Sequence, residues 1–461
     1  MIEFLLAAPN SASGKTVMAC ALLTALKRRG FSPCAFKCGP DYIDPMFHRS
    51  VLGVESHNLD LFLSQEETVR SLYAAGMAGH DAAVCEGAMG LYDGVGGSTD
   101  RASAWHVAEV LNLPVLLVLR PKGASLTLAA QVRGLMDFRP NSHLAGILLN
   151  DCSPMLYGSL APMLEQETGL PVLGYLPHTP DAVFESRHLG LYTAGEISDL
   201  SVRMERLAQC AEQTVELERL LVLCQSKREA TDMDNTFDHG VPSARIAVAQ
   251  DEAFCFTYAE TLDALRCAGA EIVPFSPLHD AVLPASADGL YLPGGYPELY
   301  AAQLSQNETM RKDIFAAVSH GMPAVAECGG FLYLGQTLED ADGRAWPMVG
   351  ALPGSGKKAG RLVRFGYATL TADTDSLLFH TGESIPVHEF HYWDSDSNGA
   401  DLVAQKPVSG KNWRCGYATP QLYAGFPHLY LAGQPQMAGR FVDAAAAYRA
   451  EREKRRYGTN E

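Results

Sequence analysis

Short apolar runs alternate with amphipathic stretches over roughly the first 200 residues of the chain. Runs of about five apolar residues indicate buried strands, whereas apolar positions three or four residues apart indicate helices. The pattern predicts strands at residues 2–6, 33–37, 82–86, 115–119, 145–149 and 172–176. It predicts helices at residues 16–27, 66–78 and 202–223. This alternation is typical of βαβ units and of a mostly parallel sheet that is covered on both faces.

The alternation stops in the polar stretch CQSKREATDMDNTFDHGVPSAR and then restarts. Further strands are predicted at residues 244–250, 271–275, 289–292 and 324–326. A length of 461 residues exceeds one ordinary core, so we predict an α/β protein with two domains. The predicted divisions are a first domain at 1–223, a linker at 224–244, a second domain at 245–445 and a polar C-terminal tail at 446–461.

The composition excludes several classes of protein. A formal net charge of −17 makes a nucleic-acid partner unexpected, because such a partner favours a basic surface. No apolar run reaches the ~20 residues that span a bilayer, and the N-terminus lacks the segments of a signal peptide, so no membrane association is expected. The eleven cysteines are scattered without CxxC spacing, which argues against a disulfide framework. The predicted location is the cytoplasm.

The stretch AAPNSASGKTVMACALL at residues 7–23 lies between the first predicted strand and helix. In a phosphate-binding loop, successive backbone N–H groups and the following helix N-terminus point at phosphates. Lys15 would add a charge at the β- and γ-phosphates, and the Thr16 hydroxyl would bind Mg²⁺. The common pattern has glycine where this chain has Pro9, so the start of the loop must differ. The alternative is an ordinary turn with a chance GKT. The predicted ATP-binding residues in the loop are Asn10, Ser11, Ser13, Gly14, Lys15 and Thr16.

Charged residues gather where predicted strands end. The stretch AFKCGPDYIDPMFH follows the strand at 33–37, and a charged loop at this end of a strand is where open α/β sheets bind ligands. In VCEGAMGLYDG, Glu86 ends an apolar strand in the same way. A lone carboxylate at a strand end is as often a helix cap as a metal ligand. Because the same sheet carries GKT, we favour a Mg²⁺ role for Glu86.

A second candidate site lies in MPAVAECGGFLYLG, where an apolar strand runs into Cys328. A strand, a glycine-rich turn and a helix are typical of a nucleophile elbow, which exposes a reactive side chain at the end of the strand. A helix N-terminus is expected to lower the pKa of such a thiol. The alternative is a buried structural cysteine.

The thiol requires a base, and His388, His391 and His428 are the histidines that compete for this role. The motif YLPGGYPEL places two glycines at the end of another strand. Backbone N–H groups there would suit an oxyanion hole.

The motifs FKCGPDYIDPMFH, HNLD, CEGAMGLYDG and RHLGLY together resemble those of the cobyrinic acid a,c-diamide synthase family, and the resemblance covers nearly the whole chain. The N-terminal half is similar, more distantly, to dethiobiotin synthetase. The resemblance implies a ligase with a P-loop domain that uses ATP and Mg²⁺ to amidate two carboxylates of a corrinoid through acyl phosphates.

The resemblance also implies roles for individual residues of the first domain. Lys37 would be catalytic with Lys15, facing the substrate carboxylate or the γ-phosphate, and Asn150 would contact adenine. The implied metal ligands are Thr16, Asp60 and Glu86. The implied substrate contacts are Asp41, Tyr42, Asp44 and His48.

The ECGG, GGYPE and HEFHYW motifs resemble a class I glutamine amidotransferase domain fused to cobyrinic and cobyric acid synthases. By this resemblance Cys328 attacks glutamine, His428 is the base, and Gly295 with Gly329 forms the oxyanion hole. Amidotransferases usually carry a glutamate two residues after the histidine, and this chain has Tyr430 there. The group that orients His428 is therefore left open.

The implied partners are cobyrinic acid, L-glutamine and ATP, and a homodimer is left open. Hydrogenobyrinic acid or nickel sirohydrochlorin would present similar acetate groups, so each is an alternative substrate. An alternative from another class is a partitioning-type ATP switch, which predicts neither the cysteine elbow nor GGYPE. A regulator with degenerate sites is a third alternative, against which the intact Lys15, Cys328 and His428 argue.

Overall fold

A computed structural model describes residues 1–179, 181, 194–226 and 242–457. The chain divides into two compact units, Met1–Thr236 and Phe237–Glu461. The RHLGLY motif at 187–192, most of the predicted linker and residues 458–461 of the predicted tail lie outside the described residues.

The described part of the first unit contains a seven-stranded parallel sheet in the order β3-β2-β4-β1-β5-β6-β7. Its strands are β1 Ile2–Ala7, β2 Pro33–Cys38, β3 Ser56–Leu59, β4 Ala82–Glu86, β5 Val115–Leu119, β6 Leu144–Asn150 and β7 Val172–Leu176. The helices are α1 Lys15–Arg28, α2 Ile43–Phe47, α3 Glu66–Met77, α4 Ala104–Leu111, α5 Leu126–Asp137, α6 Pro154–Thr168, α7 Ala194–Thr214 and α8 Leu217–Leu223.

Alternate residues of β5 point to opposite faces of this sheet. Leu116 and Val118 pack with residues of α1 and α7, whereas Leu117 and Leu119 pack with residues of α5 and α6. Because helices cover both faces, every position of this strand is apolar and buried. The prediction of a parallel sheet covered on both faces is confirmed.

Two features of the first unit differ from the predictions. Strand β3 was not predicted because its sequence, SHNL, contains a single apolar residue. The prediction of a single helix at 202–223 is wrong, because the helix is interrupted between the end of α7 at Thr214 and the start of α8 at Leu217. There Val215 forms an antiparallel bridge with Gly174 of β7, and the Glu216 N–H donates to the Leu173 carbonyl at 2.7 Å.

The described residues of the second unit form a six-stranded sheet and two four-stranded sheets. The six-stranded order is β20-β21-β11-β10-β8-β9, parallel except for β20. The strands are β8 Ala244–Ala249, β9 Ala270–Phe275, β10 Gly289–Leu292, β11 Ala324–Glu327, β12 Thr337–Glu339, β13 Ala345–Pro347, β14 Ser355–Lys358, β15 Arg364–Ala372, β16 Ser384–His391, β17 Trp393–Ser395, β18 Leu402–Gln405, β19 Asn412–Cys415, β20 Tyr417–Ala418 and β21 Leu422–Gly425. The helices are α9 Ala259–Cys267, α10 Ala301–Gln306, α11 Glu308–Ser319, α12 Gly329–Leu334 and α13 Pro435–Tyr457.

The predicted α/β character of the second half is confirmed by β8 to β11, which lie where strands were expected. The mostly antiparallel sheets built from residues 337–415 were not predicted. Across the ranges that the structure covers, no helix combines the length and the apolar character that crossing a membrane requires.

The packing of α12 on β10 leads to a prediction at Gly330. A Cβ there would lie 2.1 Å from the Leu292 carbonyl oxygen, so Gly330→Ala must push α12 away from β10. We expect a loss of about 2 kcal/mol, which lowers the melting temperature of the second unit by about 4–8 °C. Differential scanning calorimetry measures this shift.

Gly439 in α13 provides the matched control. A Cβ at this helical position meets nothing within 4 Å, and alanine favours a helix over glycine, so Gly439→Ala should leave the melting temperature unchanged or raise it. An unchanged melting temperature for Gly330→Ala would contradict the close packing of α12 on β10.

Candidate functional site

The carboxyl ends of parallel strands bring distant polar residues to one edge of the first unit's sheet. Lys37 of β2 is paired in register with Glu86 of β4 on one side and with Asn58 of β3 on the other. Glu86 is also paired with Leu6 of β1, which leads into the GKT loop. The sheet therefore places the loop, the lysine and the glutamate next to one another, as open α/β sheets do at their ligand-binding edge.

The loop between β1 and α1 has left-handed backbone at Ala12, with a φ of 62°, and at Gly14, with a φ of 94°. Proline holds φ near −65°, so a loop whose left-handed turns fall at other positions accommodates Pro9. Ser13 Oγ donates to Asn10 Oδ1 at 2.8 Å, which ties the loop to itself. Asn10 and Ser11 are exposed, and Ser13 is buried.

Lys15 starts α1 and reaches across the loop. Its Nζ donates to the Met89 carbonyl oxygen at 2.6 Å and to the Asn10 carbonyl oxygen at 3.4 Å. Burial, together with the neighbouring charge of Lys37, lowers the pKa of Lys15 to about 8. The CEGAMG stretch therefore packs against the GKT loop through this ammonium group.

A buried cluster of charges surrounds Lys37. Its Nζ lies 2.5 Å from Asp44 Oδ2, 2.8 Å from Glu86 Oε1 and 3.9 Å from Asp41 Oδ2. Burial opposes the charge of Lys37, but these three acids outweigh it and raise the pKa of Lys37. Burial raises the pKa of Glu86, whereas Lys37 outweighs burial at Asp44 and lowers the pKa of that carboxyl. The cluster is a fixed cation held among carboxylates at the ligand-binding edge.

Two of the three predicted metal ligands, Thr16 and Glu86, lie at this cluster. Thr16 Oγ1 donates to Glu86 Oε1 at 2.6 Å. Glu86 Oε2 is buried and has no hydrogen-bond partner among the residues that the structure describes. A hydroxyl and an unpartnered carboxylate oxygen are donors that suit Mg²⁺, which keeps several waters and needs few protein ligands. Thr16 and Glu86 therefore fit a magnesium ion.

Asp60 follows β3 and is almost fully buried. Its Oδ1 accepts the N–H groups of Phe62 at 2.7 Å and Leu63 at 2.9 Å, so the backbone holds this carboxylate. Within the described ranges, no group of three or more His, Cys, Asp or Glu side chains is arranged to hold a metal ion. Asp60 stays a predicted ligand.

Asn150 braces the GKT loop. Its Nδ2 donates to the Ser13 carbonyl oxygen at 3.1 Å, and a Cβ at Gly14 would lie 1.9 Å from the same nitrogen. Beside this loop lies a cavity of about 270 Å³, which Asn10, Ser13, Arg120, Lys122 and Gln131 help to line. The predicted contact of Asn150 with adenine stays a prediction, and the structure adds a contact with the loop backbone.

The predicted substrate-binding residues differ in exposure. Asp41 is half-buried, and its Oδ1 accepts the N–H of Ile43 at 2.8 Å. Tyr42 and Asp44 are buried. His48 is 1% exposed, and its Nδ1 lies 3.0 Å from Ser56 Oγ.

Asn58 is a residue of this site that the sequence did not single out. Its Nδ2 donates to the carbonyl oxygens of Gly39 at 3.0 Å and Asp41 at 2.7 Å, so it holds the loop that carries the acids. Asn58 belongs to the HNLD motif, in which only Asp60 had a predicted role, and this position was its signal in the sequence.

Cys328 lies in a strained turn between β11 and α12, with φ 48° and ψ −101°. Its N–H donates to the Gly425 carbonyl oxygen of β21 at 2.7 Å, which fixes the turn. Non-glycine residues in such a conformation are costly and cluster at functional sites. The expected lowering of the pKa of the thiol is wrong, because burial raises it, and nearby Glu298 adds to this effect.

His428 and Cys328 both lie against Gly294. A Cβ on Gly294 would be 2.6 Å from His428 Cε1 and 3.5 Å from Cys328 Cβ, so only glycine lets the two side chains share this space. His388 pairs with His428 through the backbone, and His391 stacks on Phe426 with ring centroids 3.8 Å apart.

A buried glutamate, Glu327, and a partly buried one, Glu298, lie near this thiol and had no predicted role. Glu327 Oε2 lies 3.4 Å from His428 Nδ1, and Glu327 Oε1 accepts from the Tyr291 hydroxyl at 3.2 Å. Glu298 lies in the GGYPE motif, and burial raises its pKa to about 7. Both glutamates belong to motifs, ECGG and GGYPE, in which only the cysteine and the glycines had predicted roles, and this position was their signal in the sequence.

The two predicted oxyanion-hole glycines are neighbours in space. A Cβ on Gly329 would lie 3.1 Å from the Gly295 nitrogen, so the two backbones approach closely. Gly295 has a φ of 157°. The arrangement brings two backbone segments to the turn that holds Cys328, and their role as an oxyanion hole stays a prediction.

Two family models match the chain. The model of a CobQ/CobB/MinD/ParA nucleotide binding domain matches residues 4–189. The model of a CobB/CobQ-like glutamine amidotransferase domain matches residues 245–435. The two candidate sites fall one in each matched segment.

Proteins named cobyrinate a,c-diamide synthase are similar over nearly their whole length. The one from Salmonella typhimurium is 39% identical, covering 96% of this chain and 98% of its own. The one from Listeria innocua is 38% identical, and the match covers 94% of this chain and 97% of that protein. The one from Caldanaerobacter subterraneus is 35% identical, and the match covers 96% of this chain and 98% of that protein. Among solved structures, PurLQS from Thermotoga maritima is 19% identical, and the match covers 44% of this chain and 97% of that chain, with a TM-score of 0.31.

The buried His48 leads to a prediction of acid sensitivity. Burial lowers the pKa of His48 from 6.5 to about 4, so between these values the unfolded chain binds a proton that the folded chain does not. Stability due to this group is therefore complete above pH 6.5 and falls as the pH falls, with a slope of up to about 1.4 kcal/mol per pH unit. His48→Asn should flatten this dependence in urea unfolding curves measured from pH 7 to pH 5.

His178 provides the control, because its side chain is 80% exposed. His178→Asn should leave the pH dependence as it is in the unaltered protein. If His48→Asn and His178→Asn unfold with the same pH dependence, burial of His48 is not a source of acid sensitivity.

Proposed function

The chain belongs to the cobyrinate a,c-diamide synthase family, and on that premise we propose that it amidates the a and c carboxylates of cobyrinic acid. It is a glutamine-hydrolysing, ATP-dependent amide ligase of cobalamin biosynthesis. In the proposed reaction each carboxylate becomes an acyl phosphate, and ammonia cut from glutamine then displaces phosphate. The proposal rests on the presence of two sites in one chain. One is the cluster of Lys37, Glu86 and Thr16 beside a phosphate-type loop. The other is Cys328, which lies in a strained turn and borders the same space as His428.

The first site is suited to activating a carboxylate. A carboxylate is a poor electrophile, and transfer of the γ-phosphoryl group of ATP to its oxygen converts it into an acyl phosphate and releases ADP. Negative charge on the transferring group is offset by Lys15 and Lys37, whose ammonium groups are held at the same sheet edge. Thr16 and Glu86, with Asp60 as the third predicted ligand, would hold Mg²⁺, which supplies further positive charge when bound.

The buried acids around Lys37 have a role in this proposal. Asp44 and Glu86 hold the Lys37 ammonium at 2.5 and 2.8 Å, so its position is fixed before ligands bind. A preorganised charge costs little reorganisation when the phosphoryl group is transferred. Asp41 is half-buried and lies nearer to solvent, in keeping with its predicted contact with the substrate.

The second site is suited to releasing ammonia from glutamine. Cys328 attacks the side-chain amide, and His428 accepts the thiol proton and passes it to the leaving ammonia. The N–H groups of Gly295 and Gly329 stabilise the tetrahedral oxyanion, and water then hydrolyses the thioester to glutamate. Burial raises the pKa of the Cys328 thiol, which favours its protonated form, so the proposed attack needs His428 as its base.

Product mass provides the direct test of the substrate. We expect that incubation with ATP, Mg²⁺, glutamine and cobyrinic acid yields a product in which two OH groups are replaced by NH₂. Hydrogenobyrinic acid and nickel sirohydrochlorin are tested in parallel. Diamidation of one of these rings, with cobyrinic acid unchanged, would assign the alternative substrate and refute the proposed one.

Cys328→Ala separates the two sites. It should reduce glutamine-supported amidation by about 10³-fold or more, because the nucleophile is lost, while amidation with added ammonium salt is largely retained. Lys15→Ala should reduce amidation from either nitrogen source by about 100-fold or more. Coupled assays of ADP formation and mass analysis of the corrinoid measure both activities.

Cys267→Ala is the matched control, because Cys267 is an exposed thiol of the same unit. This variant should keep both activities. Loss of both activities in Cys328→Ala, with Cys267→Ala unaffected, would show that the division into two sites is wrong.

A further inference from the structure

We propose that Glu327 is the carboxylate that orients His428 in the glutamine-hydrolysing site. The inference rests on the proposed function and adds a positioning residue to it. It assigns the third member of a Cys–His–acid arrangement to the residue that immediately precedes the nucleophile in the chain.

The geometry places the acid behind the ring of the base. Glu327 Oε2 lies 3.4 Å from His428 Nδ1, and the two side chains are 1% and 2% exposed. This 3.4 Å contact is a charge contact and not an aligned hydrogen bond, and hydrogen bonds among catalytic groups are often long or poorly aligned before the substrate binds. The Cε1 edge of the same ring faces Gly294 and, beyond it, Cys328. His428 therefore contacts the acid through Nδ1 and shares the space at Gly294 with the nucleophile.

Tyr430 occupies the position where related amidotransferases carry the orienting glutamate, and it lies within the core. It is 1% exposed, and its ring meets that of Tyr258 edge-on with centroids 5.0 Å apart. A phenol that packs in this way has no carboxylate to offer the imidazole. The acid comes instead from β11, the strand that ends at the nucleophile.

Burial and the groups around Glu327 act on its carboxyl in opposite directions, and burial has the larger effect. Burial raises the pKa of this carboxyl, whereas His428, the N–H of Leu429 and the hydroxyl of Tyr291 act in the opposite direction. The Tyr291 hydroxyl donates to Oε1, which leaves Oε2 directed towards the ring. The backbone of Glu327 is fixed by its register with Gly425 of β21.

The consequence for the reaction is a fixed tautomer. In the proposed arrangement the Nδ1–H of His428 turns to Glu327, which leaves the Nε2 lone pair to accept the thiol proton of Cys328. The imidazolium that forms is then stabilised by the negative charge of Glu327. Because the acid and the nucleophile are adjacent in the chain, one strand and one turn set both positions.

The test compares Glu327→Gln with Glu260→Gln, which removes another buried glutamate of the same unit from α9. We expect Glu327→Gln to lower the glutaminase kcat by about 10²- to 10³-fold, with KM for glutamine changed by less than about 3-fold. Its ammonium-supported amidation should match that of the unaltered protein. Glu260→Gln should keep a kcat within about 3-fold of the unaltered value.

Two further measurements guard against a purely structural effect. Glu327→Asp keeps the charge and should recover part of the lost kcat. In the unaltered protein, ¹⁵N NMR of the imidazole should find the proton of neutral His428 on Nδ1, and this measurement requires no variant to fold.

The proposal is overturned if Glu327→Gln keeps its kcat within about 3-fold, if it loses ammonium-supported amidation equally, or if NMR places the proton on Nε2. Failure of the unaltered protein to release ammonia from glutamine would instead refute the proposed function. The two failures are therefore distinguishable.

Discussion

The pairing of Lys37 with Glu86 across neighbouring parallel strands is the interaction on which the first site depends. The register of β2 and β4 sets the two side chains opposite each other at the sheet edge, where Nζ and Oε1 are 2.8 Å apart. Without Lys37, the buried carboxylates of Glu86 and Asp44 would repel each other, and buried unpaired charges are strongly destabilising. Thr16 then joins the GKT loop to this pair through Glu86.

The second site depends on backbone geometry more than on charge. The turn at Cys328 has a left-handed φ that costs stability, and its N–H is held by the Gly425 carbonyl at 2.7 Å. Gly294 and Gly330 leave room where any side chain would meet His428 or the backbone of β10. The glycines and the strain therefore belong to one arrangement, which packs helix, strand and histidine around a single thiol.

The fold and the candidate site differed in how far the sequence could predict them. Buried parallel strands such as β5 are apolar throughout, so their position follows from local composition. Strand β3 lacks that composition and owes its place to pairing with β2, which is a long-range effect. Motifs predicted Cys328 and His428, but the contact of Glu327 with the imidazole depends on how β11 and the following turn fold in space. The pKa of the Cys328 thiol depends on burial, which a local sequence pattern does not determine.

The raised pKa of the buried thiol bears on how an enzyme that consumes glutamine would control its attack on this substrate. A thiolate that formed independently of any base would attack glutamine whenever glutamine was bound. Burial raises the pKa of Cys328 and so favours the thiol, which makes the proposed attack depend on His428 as a base, and Glu327 lies 3.4 Å from the imidazole that would then be charged. Under the proposed function, ammonia release therefore depends on the alignment of His428 with Glu327 and Cys328. Any movement that tilts this ring would slow glutamine hydrolysis while leaving the carboxylate-activating site unchanged.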